Sequence, residues 1–202
     1  SPYNASFTVR RQLQQKDEHW IPKISCTVVF TSPNANASMK QCLLLHRTEN
    51  LKGRSGERIV RSLERLKLNG LVRKIGVSIY DPSELEFVTQ SMPLDLVQSP
   101  FNLLDRRLES SGWMGRLHSM CVEIHTRSVF LQGLLLMPKG SRPSYFSQWN
   151  SIWENWEQFQ ENHDISPLAA CLCFALSYDE IDRVTVGVDS VRQLKEILEG
   201  SE

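Results

Sequence analysis

The sequence predicts an α/β fold in which about six strand–helix units form an incomplete TIM (β/α)8 barrel. Short runs of branched apolar residues alternate with longer segments whose apolar residues recur at helical spacing. Strands that are separated by helices pair in parallel, because each crossover returns the chain to the same edge of the sheet. The units follow one another without a long polar break, which favours a barrel over an open doubly wound sheet.

The first clear unit begins with an amphipathic helix from Ser55 onward. Asn69-Gly70 supplies a stop for this helix, since glycine adopts a positive φ easily. The branched run Leu71–Val77 then predicts a strand. In Asp81-Pro82-Ser83-Glu84 the aspartate caps the next helix, the proline takes its first position and the glutamate sits at the third. The apolar positions of the first helix are Ile59, Val60, Leu63 and Leu66.

The next two units have the same order. Leu94–Gln98 predicts a strand, and the apolar positions of the helix after it are Leu108, Trp113, Leu117 and Met120. Cys121–Ile124 opens another strand, and a longer connection through Leu134-Leu135-Leu136 leads to a helix with a broad aromatic stripe. We interpret this stripe as core packing rather than a binding platform, because such faces normally pack against the barrel. Its members are Trp149, Ile152, Trp153, Trp156 and Phe159.

The C-terminal end completes the pattern. Ser166-Pro167 caps a helix from Leu168 to Leu176, Val184–Val186 is a short strand, and Ser190 opens a closing helix through Leu198.

The N-terminal third is less regular. Val9 and Leu13 suggest one helix, and strands are predicted at Ile21–Val29 and at Cys42–Leu45, the latter ending at His46. Thr31–Ser38 between them is turn-like and has no apolar helical face, so a full crossover helix does not fit there.

Composition excludes several classes of partner. The 23 basic residues balance the 23 acidic ones among 202, so the chain lacks the positive footprint of a protein that binds nucleic acid or an anionic membrane. No apolar run approaches the length of a membrane span. The five cysteines are odd in number and have no CxxC spacing, which indicates reduced thiols in a cytoplasmic protein. Because the chain begins Ser1-Pro2-Tyr3, we expect its true N-terminus to lie upstream.

The last unit offers a candidate ligand site. Gly187 to Ser190 is a small-residue turn at the end of a strand that opens directly into a helix carrying Arg192 and Gln193. Such a turn directs free backbone N–H groups and the positive end of the helix at whatever lies above it, and phosphate suits that environment. An ordinary serine cap with an exposed arginine explains the same residues equally well.

Four stretches of the chain together resemble the second half of the aldo-keto reductase family, in its order and at about its spacing. The resemblance implies one barrel domain over residues 1–202 and hydride transfer between a nicotinamide cofactor and a carbonyl. The four stretches are Val72–Ser78, Asp95–Gln98 with Asn102–Arg106, Arg127-Ser128 with Gln132–Leu135, and Gly187–Leu194.

The resemblance also implies a cofactor, NADP(H) or alternatively NAD(H). Ser78 and Gln98 match the family's groups that hold the nicotinamide carboxamide. Arg127, followed by Ser128, takes the place of a ring that stacks on the nicotinamide, and a guanidinium plane can stack too. Gly187, Ser190, Arg192 and Gln193 would lie along the pyrophosphate and adenosine side.

The family's catalytic residues are an aspartate, a tyrosine, a lysine and a histidine. The tyrosine delivers a proton, the lysine lowers its pKa, the aspartate steadies the lysine and the histidine orients the carbonyl. In this chain Tyr3, Lys23 and His46 match the last three types, and no metal ligand is implied. Each has an ordinary alternative. His46 could cap a strand through a backbone hydrogen bond, Lys23 could be a solvated charge, and Tyr3 could be a frayed terminal residue.

The chain also departs from the family pattern. No residue matches the aspartate, and the first two barrel strands are absent, which we expect to reflect omitted residues rather than an open barrel. Ile79 and Ile197 stand where the family commonly has asparagines that contact the cofactor. The leading hypothesis is therefore NAD(P)H-dependent reduction of a small-molecule aldehyde, ketone or sugar. The alternative is a non-catalytic barrel that binds a nucleotide or a partner protein.

Overall fold

The computed structural model describes residues 6–7, 40–188 and 190–200. Strands are separated by one or two helices over most of the chain, with short 3-10 helices at Thr48–Leu51, Leu131–Leu136 and Ser144–Trp149. The strands are β1 (Ser6–Phe7), β2 (Lys40–Leu45), β3 (Val72–Ser78), β4 (Leu96–Pro100), β5 (Glu123–Arg127) and β6 (Arg183–Val186). The helices are α1 (Gly53–Leu68), α2 (Glu84–Ser91), α3 (Arg107–Ser110), α4 (Trp113–Ser119), α5 (Asn150–His163), α6 (Pro167–Leu176) and α7 (Val191–Glu199).

The described strands form one parallel sheet in the order β1-β6-β5-β4-β3-β2. From β2 to β6 each strand lies beside the next one in sequence, and β1 pairs with β6 through Ser6 opposite Thr185. A sheet whose first strand lies beside its last has the neighbour relationships of a barrel. The predicted α/β barrel architecture is thereby confirmed for this part of the chain, as a partial barrel.

The two faces of the sheet have different surroundings. Ile75 and Val77 of β3 belong to the main apolar core with residues of α1, α2 and α4. Gly76 and Ser78 alternate with them and therefore lie on the opposite, inner face. A small apolar cluster of Cys42, Leu44 and Leu96 fills part of that inner face. The inner face is thus the one on which the polar strand ends meet.

The side-chain hydrogen bonds predicted at the helix starts are present, although α2 itself begins at Glu84 rather than at Pro82. Glu84 Oε1 accepts from the backbone N–H groups of Tyr80 and Asp81, both at 2.8 Å, and Asp81 Oδ1 accepts from the N–H of Ser83 at 3.0 Å. Ser166 Oγ likewise accepts from the N–H of Ala169 at 3.2 Å. These side chains satisfy backbone donors that the first turn of a helix leaves unpaired.

The single helix predicted from Leu108 to Met120 is wrong. Gly112 has φ +77°, and this left-handed residue separates α3 from α4. Met120 falls beyond α4 and is half exposed. The prediction missed the break because Leu108, Trp113 and Leu117 are all buried on the same side of the sheet, and their apolar spacing is therefore continuous across Gly112.

The interpretation of the aromatic stripe on α5 as core is correct for only part of it. Trp153 and Trp156 are buried and donate their indole N–H groups to the carbonyl oxygens of Phe146 and Leu135. The remaining members lie at the rim of this packing and keep more than a third of their surface exposed, because the chain before α5 covers only one side of the helix. They are Trp149, Ile152 and Phe159.

The N-terminal predictions fall mostly on residues that the structure does not describe. The helix at Val9 and Leu13, the strand Ile21–Val29 and the turn at Thr31–Ser38 lie among them. Strand β1 (Ser6–Phe7) was not predicted; it forms because the free edge of β6 offers it backbone partners. Within the described ranges, no helix is both long and apolar enough to cross a membrane.

Candidate functional site

The register of the sheet sets the candidate residues on consecutive strand ends. Ser78 at the end of β3 lies opposite Gln98 of β4, and Arg127 at the end of β5 lies opposite Pro100. Leu45 is paired with Val77, so the next step of that register sets His46 opposite Ser78. All of these positions belong to the carboxyl edge of the sheet, where (β/α) barrels carry their active sites.

Ser78 and Gln98 form a buried polar pair. The Ser78 hydroxyl donates to Oε1 of Gln98 at 3.0 Å, and their exposures are 1% and 3%. The bond fixes the amide orientation, so that the Nε2 group of Gln98 points away from the serine. Two neutral side chains on adjacent strands are thus buried and hydrogen-bonded to each other at this edge of the sheet.

The contacts that hold Arg127 at this edge include two hydrogen bonds and one ring contact. Its Nη2 donates to the carbonyl oxygen of Ile79 at 3.0 Å and its Nη1 to Oγ of Ser128 at 3.3 Å. The guanidinium also lies over the ring of Tyr80, 4.8 Å from the ring centre. Ser128 adopts φ +61°, which turns the chain sharply at the end of β5. The positive charge is therefore fixed at the edge of the sheet and one face of Tyr80 is covered.

A second arginine, which the sequence patterns did not single out, joins two loops at the same edge. Arg107 binds Asp81 at 2.6 Å and Asp105 at 2.8 Å, and donates to the carbonyl oxygen of Tyr80 at 3.3 Å. Hydrogen bonds from Ser83 and the charge of Arg107 hold the pKa of Asp81 below its ordinary value. The Arg107 hydrogen bond lowers the pKa of Asp105. These contacts fix the loop that carries Tyr80 under Arg127.

Asn102 closes the loop after β4. Its side chain is buried, its Nδ2 donates to the carbonyl oxygen of Ser128 at 3.1 Å, and its Oδ1 accepts from the N–H groups of Leu104 and Asp105, both at 2.9 Å. One amide thus organises its own turn and ties it to the residue after Arg127. The clue in the sequence was an asparagine opening a turn, where its side chain can bond to the backbone two residues on.

Replacing Asn102 with alanine is expected to lower the free energy of unfolding by about 2 kcal/mol, because it removes three part-buried hydrogen bonds to backbone groups. Urea unfolding followed by far-ultraviolet circular dichroism measures the change. Asn155→Ala is a control on the exposed part of α5, where we expect a change below about 0.5 kcal/mol. Equal effects of the two substitutions would show that the Asn102 bonds are energetically unimportant.

The last predicted ligand residues lie at the start of α7. Ser190 Oγ accepts from the N–H of Gln193 at 3.2 Å, which is the ordinary serine cap. Gly187 is exposed, and Arg192 forms an exposed ion pair with Glu196 at 3.4 Å. The structure therefore contains the predicted helix start, and its side chains face solvent rather than the Ser78–Gln98 pair. Tyr3 and Lys23 lie outside the described residues.

A partial (β/α) barrel with a polar carboxyl edge defines a broad class of enzymes and binding proteins. A family model narrows this class, since the model of the aldo/keto reductase family matches residues 29–202. The chain therefore belongs to the aldo/keto reductase family, whose members are oxidoreductases. Tyr3 and Lys23 precede the matched region, whereas His46, Ser78 and Gln98 lie within it.

Solved structures show the same fold. The apo form of aldo-keto reductase AKR11C1 from Bacillus halodurans matches 82% of this chain and 57% of its own, with a TM-score of 0.64 and 20% identity. The thermostable aldo-keto reductase Tm1743, solved with the inhibitor epalrestat, matches 81% and 55%, with a TM-score of 0.61 and 20% identity. A mutant of Gox0644 in complex with NADPH matches 81% and 53%, with a TM-score of 0.59 and 15% identity.

The chain therefore spans between half and three-fifths of the length of these structures. At such identities the likeness establishes the fold alone. A search of curated protein sequences gave no significant match.

Proposed function

We propose that this protein reduces a small-molecule aldehyde, ketone or sugar carbonyl at the expense of NADPH or NADH. The observation that carries the proposal is the Ser78–Gln98 pair, which is buried at the carboxyl ends of adjacent parallel strands. Extending the β2–β3 register by one residue places His46 opposite Ser78. A carbonyl group bound above the Ser78–Gln98 pair would therefore lie near His46. Family membership supplies the reaction class.

The residues present fit a nicotinamide. Its carboxamide needs one acceptor and one donor in a plane, and the pair offers the Gln98 amide and the Ser78 hydroxyl. Within the described part of the chain, Gln98 uses its oxygen for Ser78, and its Nε2 group has no partner of its own there. The fixed guanidinium of Arg127, with Ser128 holding it, supplies a plane on which the ring could stack.

The start of α7 fits the phosphate side of the same cofactor. An anion is favoured here by the positive end of the helix and by backbone N–H groups near Gly187 and Ser190. Arg192 and Gln193 would bind the adenosine side of the cofactor. NADPH is the cofactor bound in the Gox0644 structure, which supports placing NADP(H) first and NAD(H) second.

In this proposal the bound cofactor supplies a hydride to the carbonyl carbon. His46 orients the carbonyl oxygen, Tyr3 gives that oxygen a proton, and Lys23 is the electrostatic partner of Tyr3. The connection from Leu134 to Tyr145 borders the mouth of the barrel. Arg142 stabilises this connection by donating hydrogen bonds to Glu157 at 2.8 Å and to the carbonyl oxygen of Met137 at 3.1 Å.

We further propose a cytoplasmic location. Cys42 and Cys171 are buried thiols, and burial raises the pKa of Cys171 to about 12, which keeps it unreactive. Cys121 and Cys173 are exposed free thiols, which persist in a reducing compartment.

The direct test is titration with NADPH and then NADH while tryptophan fluorescence is followed. Saturable quenching by one of them, together with oxidation of NADPH when an aldehyde is added, is the expected result. Absence of quenching by both would contradict the proposed function.

Replacing Gln98 with leucine is expected to raise the Kd for NADPH about tenfold, because the variant loses the amide hydrogen bonds but keeps most of the side-chain volume. The same fluorescence titration measures this change. Ser99→Ala is the matched control, since Ser99 is buried on the same strand but on the opposite face. The assignment of Gln98 is wrong if both variants bind NADPH as tightly as the parent protein.

One observation favours the non-catalytic alternative. Ile79 and Ile197 stand at positions where asparagines commonly contact the cofactor, and both side chains are buried in the apolar cores. The two groups thus contribute packing rather than hydrogen bonds to a ligand. Quenching by NADPH without turnover of any aldehyde, ketone or sugar would favour this alternative.

A further inference from the structure

A polar cluster lies on the inner face of the partial barrel, where His125 is opposite Gln98 in the register of β4 and β5. Ile124 and Val184 point into the outer cores, so His125 on β5 and Arg183 and Thr185 on β6 lie on the inner face. His125 is directly opposite Arg183 in the register of these strands. Neighbouring parallel strands lie about 4.8 Å apart, so the three side chains leave the sheet close together.

Four charged side chains surround this cluster, two positive and two negative. Lys74 on β3 forms an ion pair with Glu123, and Nε2 of His125 lies 3.1 Å from the other oxygen of that carboxylate. The carboxylate of Asp182 accepts from the N–H of Ile124 at 2.8 Å. No ion pair within the described part of the chain includes Arg183. The Arg183 guanidinium is therefore not committed to either carboxylate by an ion pair among the described residues.

Three atoms of the cluster are buried and have no hydrogen-bond partner among the described residues. They are Nδ1 of His125, Nη1 of Arg183 and Oγ1 of Thr185. His125 is 2% exposed and Thr185 is 9% exposed. Buried polar atoms are nearly always paired, and an unpaired guanidinium N–H is among the most costly. Three such atoms on one face of two adjacent strands indicate a bound polar guest.

The protonation of His125 specifies what the guest must offer. Burial lowers the pKa of His125, and the neighbouring Glu123 opposes this only in part, so the imidazole is neutral near pH 7. Its Nε2–H donates to Glu123, which leaves Nδ1 as an acceptor. Arg183 donates only, and the Thr185 hydroxyl can donate. The matching guest has anionic oxygens and one O–H group.

We propose that His125, Arg183 and Thr185 form a binding site for a small oxyanion that retains a proton, such as hydrogenphosphate or hydrogencarbonate. Its anionic oxygens accept from Arg183 and Thr185, and its O–H donates to Nδ1 of His125. The site adjoins the proposed cofactor position, since His125 lies opposite Gln98 in the register of β4 and β5. Its test uses the protein without a cofactor, so the outcome does not depend on the reductase hypothesis.

Isothermal titration of the protein with inorganic phosphate tests the proposal. We expect saturable binding of one phosphate at pH 7, and binding of sulfate about tenfold weaker, because sulfate has no proton to give to Nδ1. Equal affinity for the two anions would overturn the assignment of Nδ1 as the acceptor, and with it the proposed guest. No saturable binding of phosphate would leave water as the occupant and overturn the site altogether.

Two variants locate the bound phosphate. Arg183→Gln and Thr185→Val should each weaken phosphate binding at least about tenfold. Arg58→Gln removes one positive charge from the exposed face of α1 and should leave the affinity unchanged. If Arg183→Gln fails to fold, Thr185→Val still decides, because valine replaces threonine with the same shape. Parent-like phosphate affinity in Thr185→Val would place the anion elsewhere and contradict the proposal.

Discussion

Replacing Gly76 with alanine is expected to lower the free energy of unfolding by at least about 3 kcal/mol. A Cβ atom at this position would lie 2.0 Å from the carbonyl oxygen of Leu96 and 2.9 Å from its carbonyl carbon. Both atoms belong to the backbone of β4, which pairs with Gly76 itself and cannot move without opening the sheet. Urea unfolding followed by circular dichroism measures the loss.

Gly115 provides the matched control for this substitution. It lies in α4, and a Cβ atom there would meet nothing within 4 Å. Gly115→Ala should therefore stabilise the protein slightly, by about 0.5–1 kcal/mol, since alanine favours the helix. A loss for Gly76→Ala no greater than about 1 kcal/mol would show that β3 and β4 separate easily at this point.

The elements that could be predicted from sequence are those whose pattern is local and long. The branched run of β3 and the amphipathic α1 each contain enough residues for their periodicity to be unambiguous. Strand β1 has two residues and depends on the free edge of β6, so no local pattern could reveal it. The break at Gly112 was missed because apolar spacing continues across it.

The residues of the candidate site also fall into those that could be predicted from sequence and those that could not. Ser78 and Gln98 were predicted from the resemblance to the family, and both are polar residues at the ends of apolar strands, but their hydrogen bond follows from the register between strands. Tyr80 and Arg107 could not be found. Their roles come from contacts between separate loops, and the two residues are 27 positions apart in sequence. Sequence reasoning therefore found the strand ends and missed the loops that position them.

The cluster of His125, Arg183 and Thr185 was not predicted from sequence, because it also depends on contacts between distant residues. Arg183 and His125 are 58 residues apart in sequence and opposite each other in the sheet. In the sequence, Arg183 is an ordinary polar residue at the start of a short strand. Only the pairing of β5 with β6 shows that its guanidinium is directed into the barrel beside a buried imidazole.

Replacing His46 with glutamine is expected to reduce kcat for an aldehyde about 100-fold while the Kd for NADPH changes less than about threefold. His46 is half-buried and follows Leu45 at the end of β2. It takes the position opposite Ser78 when the β2–β3 register is extended by one residue. A residue that orients the carbonyl acts on the transition state rather than on the cofactor, so turnover and cofactor affinity should separate. Steady-state kinetics and the fluorescence titration measure the two quantities on the same preparation.

His118→Gln is the matched control, because His118 is exposed near the end of α4, on the helical side of the sheet. We expect kcat for this variant to equal that of the parent protein. If His46→Gln lowers kcat and NADPH affinity by the same factor, His46 supports the cofactor edge as a structural cap instead. If it changes neither, the reductase hypothesis loses its only catalytic candidate within the described part of the chain, because Tyr3 and Lys23 lie outside it.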